Sequence, residues 1–307
     1  MKEKTIYALG FFDGAHLGHQ ALLTECVRLA QQYDAMPCAI TFDRHPQSLF
    51  CENPPKLIND LNSRRYLMGQ YGIQKIQSYP VTKEVMSMPW QDFLDELVNF
   101  GAAGFVCGKD FRFGNRGEGN AEKLQKYCLE KNLLCSIVED QMLDDVRISS
   151  THIRSLLEAG DLEEAIRFMG HPHVISGEVI SGRKLGRTIG VPTANFLLPE
   201  DVVQLPHGVY ACKAIVDGRE YMAVTNIGSR PTVGGHQTRS EAWLLDFDGD
   251  LYGKELVLYF YKFLRPERKF DSLEELTVEI QKNAAQTRNF FEKYEKFPLL
   301  LGRLVIR

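Results

Sequence analysis

The sequence predicts an α/β chain in two parts. A parallel, doubly wound sheet covered by helices comes first, and a small antiparallel β-barrel with a terminal helix follows. Up to residue 170, short apolar runs alternate with segments of helical periodicity. After Gly170-His171-Pro172, strand follows strand with Gly, Asp and Pro turns between them. At the first strand-to-helix junction stands Gly10-Phe11-Phe12-Asp13-Gly14-Ala15-His16-Leu17-Gly18-His19. That is where doubly wound sheets hold phosphates, because a helix N-terminus offers free N–H groups and a positive dipole end.

The strand candidates of the first part are Ile6–Leu9, Cys38–Phe42, Ile76–Tyr79, Gly104–Cys107 and Leu134–Val138. Helix candidates lie between them at His19–Tyr33, Ser63–Tyr71, Trp90–Phe100 and Ala121–Lys131, and two more follow at Ser150–Leu157 and Leu162–Phe168. In the second part the strand candidates are Val174–Ser181, Val209–Val216, Tyr221–Thr225, Glu241–Asp246 and Leu256–Phe263. A helix over Ser272–Tyr294 closes the chain, which splits into domains 1–170 and 171–307.

Composition narrows the function classes. The 307 residues carry a net charge of -4, which gives no broad electrostatic case for nucleic acid, so the expected partners are small molecules. Seven scattered cysteines without a Cys-x-x-Cys pair read as reduced thiols of a cytoplasmic protein. No signal-peptide region and no membrane-spanning run is visible.

Several stretches carry phosphate chemistry. His16 and His19 add two donors beside the anion site, while Gly14 and Gly18 let a phosphate approach the backbone. Zinc is a poorer reading, since the histidines are spaced i, i+3 and no third ligand is evident. After the fourth strand, Gly108-Lys109-Asp110-Phe111-Arg112-Phe113-Gly114 combines rings that can stack on a flat ligand with basic side chains that can meet a phosphate. Ser149 or Ser150 can cap the next helix, and these hydroxyls with Thr151 and Arg154 can also hold a triphosphate tail. In the second part, Gly182, Gly186 and Gly190 punctuate a basic loop whose amides can wrap phosphates. Thr193 and Asn195 offer oxygens at i, i+2 to a magnesium ion. Glu241, within a strand candidate, is a candidate general base for a hydroxyl or else a salt-bridge partner.

Taken together, these motifs resemble the bacterial bifunctional riboflavin kinase/FAD synthetase (FMN adenylyltransferase) family. The resemblance runs through both parts, from Gly10–His19, Gly108–Gly114 and Ile148–Arg154 to Gly182–Asn195, Gly208-Val209-Tyr210, Asn226-Ile227-Gly228, Asp246–Gly253 and Leu264–Phe270. It implies a Rossmann-like nucleotidyltransferase domain followed by a riboflavin kinase-like barrel. The first domain would adenylylate FMN with ATP, giving FAD and pyrophosphate, with His16 and His19 stabilising the developing charge. Ser150, Thr151 and Arg154 would hold the ATP phosphates, and Asp110 and Phe111 would lie in the flavin crevice. The second domain would phosphorylate riboflavin, with magnesium at Thr193 and Asn195 and Glu241 accepting the hydroxyl proton. Trp243 and Asn283 depart from the family pattern, where His and Asp are usual. Two alternatives remain open: an adenylyltransferase for another mononucleotide, and a non-catalytic flavin-binding regulator.

Overall fold

The computed structural model describes residues 3–181, 190–232 and 235–296. These form two compact units, one built from residues up to Leu57 with Arg64–Ser150, the other from Ile58–Ser63 with residues from Thr151 onward.

The first unit is a five-stranded parallel sheet of β1 (Thr5–Leu9), β2 (Met36–Phe42), β3 (Lys75–Tyr79), β4 (Ala102–Gly108) and β5 (Leu134–Val138). Its order is β3-β2-β1-β4-β5. β1 sits at the centre and every one of its residues is buried, as a strand covered on both faces must be. Side-chain alternation divides its contacts. Tyr7 and Leu9 join Ile40, Phe105, Leu94 and Leu124 on one face, whereas Ile6 and Ala8 join Leu23, Cys26 and Val106 on the other. The covering helices are α1 (Leu17–Gln32), α2 (Leu61–Gln70), the single turn α3 (Lys83–Met86), α4 (Trp90–Asn99) and α5 (Ala121–Lys131). Asn120 caps α5 by accepting from the Lys123 N–H, and Asn132 ends it in the left-handed conformation. A short hairpin of β6 (Met142–Leu143) and β7 (Val146–Arg147) follows β5.

Three further helices follow in the chain: α6 (Ser150–Ala159), α7 (Leu162–Met169) and, at its end, α8 (Leu273–Lys296). The second unit holds six antiparallel strands: β8 (His173–Glu178), β9 (Ala194–Leu197), β10 (Gly208–Val216), β11 (Arg219–Thr232), β12 (Gly235–Leu244) and β13 (Glu255–Pro266). Their order is β8-β13-β10-β11-β12-β9. Ile180, just past β8, bridges Asn195 of β9, so the two edges of the sheet nearly close on each other. The hairpin from β10 to β11 turns on Asp217-Gly218, both at positive φ (49° and 73°), which matches the twist of the paired strands. α8 packs Ala284 against Val209, Val224 and Leu245.

The strand-helix alternation and the later run of strands are as the sequence predicts. The single turn α3, the β6–β7 hairpin and β9 are additions, each of two to four residues per element and too short for periodicity to show.

Gly104 shows how tightly β4 meets β5. A Cβ there would lie 2.6 Å from the Cβ of Leu134, its partner in the ladder. Gly104→Ala should therefore destabilise the protein by about 1–3 kcal/mol through overpacking. Denaturant unfolding measures this, and a variant as stable as the parent would contradict the close packing.

Candidate active sites

The turn from β1 into α1 builds the first site. Phe12, Gly14 and Ala15 all have positive φ (57°, 82° and 38°), a conformation unfavourable for the two that carry a Cβ. Side chains from elsewhere hold the turn's carbonyls. Thr41 Oγ1 donates to Phe11 O at 2.7 Å, Ser150 Oγ to Asp13 O at 2.8 Å and Gln20 Nε2 to Ala15 O at 2.9 Å. The Phe12 ring is fully buried and meets the His19 ring edge-on.

His16 is the N-cap of α1, its Nδ1 accepting the His19 backbone N–H at 3.3 Å. In a neutral imidazole that places the proton on Nε2. The rings of His16 and His19 stack with centroids 3.7 Å apart and 14° between planes. Gly18 permits this, since a Cβ there would crowd the His16 ring at 3.2 Å. His19 keeps some surface exposure, but its Nδ1 is screened from solvent. Burial, then the positive potential of His16 and Arg64, holds its pKa well below the ordinary 6.5. His19 is therefore held neutral, stacked on the ring of His16 that caps the helix N-terminus.

A cleft of about 210 Å³ opens over them, bounded by Gly18, Asp110, Arg147 and Ser150. Arg147, which the sequence analysis does not single out, is held there by Asp110 and, at 3.1 Å, by Asp140. Its place in the short β6–β7 hairpin leaves no periodic signal. Thr151 is exposed and Arg154 half-buried on α6, and both fall in the second unit.

A second cavity of about 210 Å³ in the same unit is apolar, lined by Phe42, Tyr79, Phe93, Phe111 and Phe113 with Arg112 at its edge. Phe111 and Phe113 stack with centroids 5.6 Å apart. Asp110 and Phe111 thus leave β4 together but face different places, one the histidine cleft and the other the apolar cavity.

Two cavities of the barrel unit meet at Thr193. One, of about 340 Å³, is lined by Val209, Glu241, Trp243, Arg265 and Phe270. The other, of about 350 Å³, is lined by Pro192, Phe247, Asp250 and Tyr252, and Thr193 borders both. Glu241 lies opposite Asn195 of β9 on one side and opposite Asn226 of β11 on the other. Arg265 and Arg268, which line the same cavity, pair with Glu279 at 3.3 Å and 2.9 Å, while Asn283 Oδ1 accepts from Arg265 Nε at 3.1 Å. Asn283 therefore keeps a defined partner as an amide.

Asn195 Nδ2 donates to Thr193 O at 3.2 Å and to Thr193 Oγ1 at 3.4 Å, which turns the amide nitrogen inward and leaves Oδ1 to accept from elsewhere. Neutral hard oxygens of this kind suit magnesium that arrives with phosphates. They do not make a self-sufficient metal cage, and among the described residues no cluster of three His, Cys, Asp or Glu could hold a metal. Gly190 has φ 73° and open space around its Cβ position, so its glycine serves the backbone turn. Gly182 and Gly186 lie outside the described residues.

Residues 1–152 match the FAD synthetase family and residues 169–291 the riboflavin kinase family. Bifunctional riboflavin kinase/FMN adenylyltransferases are similar over nearly the whole chain. The one from Listeria monocytogenes is 36% identical, covering 94% of this chain and 93% of that protein. The one from Bacillus subtilis is 34% identical, covering 95% and 94%, and the one from Escherichia coli K12 is 33% identical, covering 94% of each. A crystal structure from Streptococcus pneumoniae, described as a macrolide-efflux protein, superposes with a TM-score of 0.78 at 28% identity, covering 94% of this chain and 95% of that one. Among the described residues no helix is long and apolar enough to cross a membrane.

The state of His19 can be checked directly. In the unliganded protein at pH 6, ring-¹⁵N NMR should show His19 neutral, with the signal assigned by its loss in His19→Gln. A protonated His19 at that pH would contradict the burial described above. Because folding depresses this pKa, the unfolded chain binds the extra proton, so His19 stabilises the fold above about pH 6.5 and loses that contribution as the pH falls below it.

Proposed function

This chain belongs to the bifunctional riboflavin kinase/FMN adenylyltransferase family, and we propose which of its residues carry the two reactions. Its N-terminal half is an FAD synthetase and its C-terminal half a riboflavin kinase. We assign residues 1–170 to the first activity and 171–307 to the second. Gly170 ends α7 in the left-handed conformation, while α6 from Thr151 and all of α7 fall in the second compact unit. We place the protein in the cytoplasm, on its seven free thiols.

The observation that carries the first assignment is the stacked His16–His19 pair at the N-terminus of α1. ATP lies with its α-phosphate against that terminus, where Gly14 and Gly18 leave room and the helix dipole favours negative charge. A phosphate oxygen of FMN attacks the α-phosphorus, the bond to the β-phosphate breaks, and pyrophosphate leaves. Neutral imidazole N–H groups, including Nε2–H of His16, donate to the oxygens on which charge builds. Neither ring needs to gain or lose a proton. Ser150 and Arg147 line that cleft and hold the phosphate tail. Phe111 and its apolar cavity take the isoalloxazine ring, while Asp110 orients Arg147.

In the barrel, riboflavin fills the cavity lined by Glu241 and Trp243, and ATP fills its neighbour across Thr193. The terminal ribityl hydroxyl attacks the γ-phosphorus and ADP leaves. Glu241 accepts the hydroxyl proton. Thr193 and Asn195 would hold magnesium together with the ATP phosphates, and Gly182, Gly186 and Gly190 are assigned to binding the same phosphates. When bound, the ion neutralises phosphate charge and withdraws electrons from the reacting phosphorus.

Reciprocal variants test the assignment. His16→Ala or His19→Ala should slow FAD formation from supplied FMN by about 10²–10⁴-fold while riboflavin phosphorylation continues. Glu241→Gln should slow phosphorylation by about 10²-fold or more without loss of riboflavin binding, and Asn195→Ala should weaken MgATP use in that reaction alone. Equal loss of both activities in a folded variant would contradict the division of labour.

A further inference from the structure

We infer that Arg64 is a positioning residue for adenylyl transfer, its guanidinium setting the β1–α1 turn that aims His16 and His19. The inference rests on the assignment of that histidine pair to the FAD synthetase reaction.

Arg64 stands in the first turn of α2 and is fully buried. Nη1 donates to Phe11 O at 3.0 Å and to Thr41 Oγ1 at 2.9 Å. Nη2 donates to Phe42 O at 3.0 Å and to Asp43 O at 3.4 Å. The guanidinium carbon also lies 4.6 Å from the centroid of the Phe11 ring. One planar group therefore ties the turn after β1 to the end of β2, two adjacent strands at the carboxyl edge of the sheet. It does so through Phe11, immediately before the first residue of the turn with positive φ. Thr41 completes the arrangement by accepting from Arg64 and donating to the same Phe11 carbonyl.

Burying a guanidinium is costly, and an apolar side chain of similar volume would fill this space with no charge to desolvate. What arginine supplies and an apolar residue cannot is a rigid fork that grips several carbonyls at once, together with a fixed positive charge. Both act on the histidine pair. The fork holds a turn whose backbone would otherwise relax from a strained conformation. The charge helps to keep His19 neutral, after burial and His16. Arg64 does not line the histidine cleft, so it acts through the turn and not on the substrate.

The test uses full-length Arg64→Met, Arg64→Lys and Thr41→Val proteins, each assayed for both reactions, with circular dichroism and the thermal unfolding of both units reporting the folded fraction. Per folded molecule, Arg64→Met should lower kcat for FAD formation from FMN by about 10²-fold, the cost of a small misplacement of catalytic groups, while KM for ATP stays within about threefold. Arg64→Lys keeps the charge without the fork and should recover only part of that loss. Thr41→Val should lower the same kcat by about tenfold, and its effect should not add to that of Arg64→Met. Wild-type kcat in folded Arg64→Met, or a loss confined to KM, would overturn the inference. Should Arg64→Met fail to fold, wild-type kcat in Thr41→Val would overturn it. His16→Ala and His19→Ala, run alongside, separate the two readings. If they leave FAD formation intact, the histidine assignment itself is wrong. If they abolish it while the Arg64 and Thr41 variants do not, only the present inference falls.

Discussion

β1 pairs in parallel with β2 on one side and with β4 on the other, and the candidate site for adenylyl transfer depends on that double pairing. Chain order reverses across β1, so the connections leaving β1 and β4 diverge and open a crevice at the carboxyl edge. The segments after β1, β2 and β4 all emerge at that edge. They bring the His16–His19 turn, the Phe42-Asp43 carbonyls and the Asp110–Phe113 loop into one neighbourhood. A parallel sheet leaves no choice about where the α1 N-terminus points, and the anion site follows from it. The positive-φ conformations of Phe12 and Ala15 are the local cost, offset by the burial of Phe12 and by side-chain donors to three carbonyls.

The barrel solves a different problem by similar means. A phosphoryl transfer needs donor and acceptor on either side of one point, in line. Thr193 borders two cavities, and the ladder sets Glu241 beside Asn195 on β9 and Asn226 on β11. Antiparallel register thus does in the second unit what strand order does in the first: it fixes side chains far apart in sequence to one spot. Both arginines facing that cavity pair with Glu279 of α8, which lets a largely apolar space carry charged walls.

Much of this is legible in the sequence because it rests on local patterns. The Gly10–His19 junction announces its own geometry, with a strand before it and a helix after it. Leu134–Val138 and Ala121–Lys131 emerge with the bounds that periodicity gives. Other features depend on tertiary contacts that no local pattern carries. Arg64 looks like one of two adjacent helix-surface arginines. Its signal is a position three and four residues before the buried Leu67 and Met68, which puts a charge on the apolar stripe of α2. Arg147 belongs to a two-residue strand, and only its partners Asp110 and Asp140 give it meaning. The separation of Asp110 from Phe111 is a matter of which way two neighbouring side chains turn. β9 is read from sequence only as a Thr/Asn pair, since its strand character comes from pairing with β12.

The central claim is that each half of the chain holds a complete site and that FMN links them. Mixing two inactive chains measures this most directly. A His19→Ala chain makes FMN but little FAD, and a Glu241→Gln chain makes little of either from riboflavin. Combined in one vessel with riboflavin, ATP and magnesium, they should form FAD, as followed by chromatography of the flavins. FMN that accumulates in the mixture without conversion to FAD would contradict two separable sites.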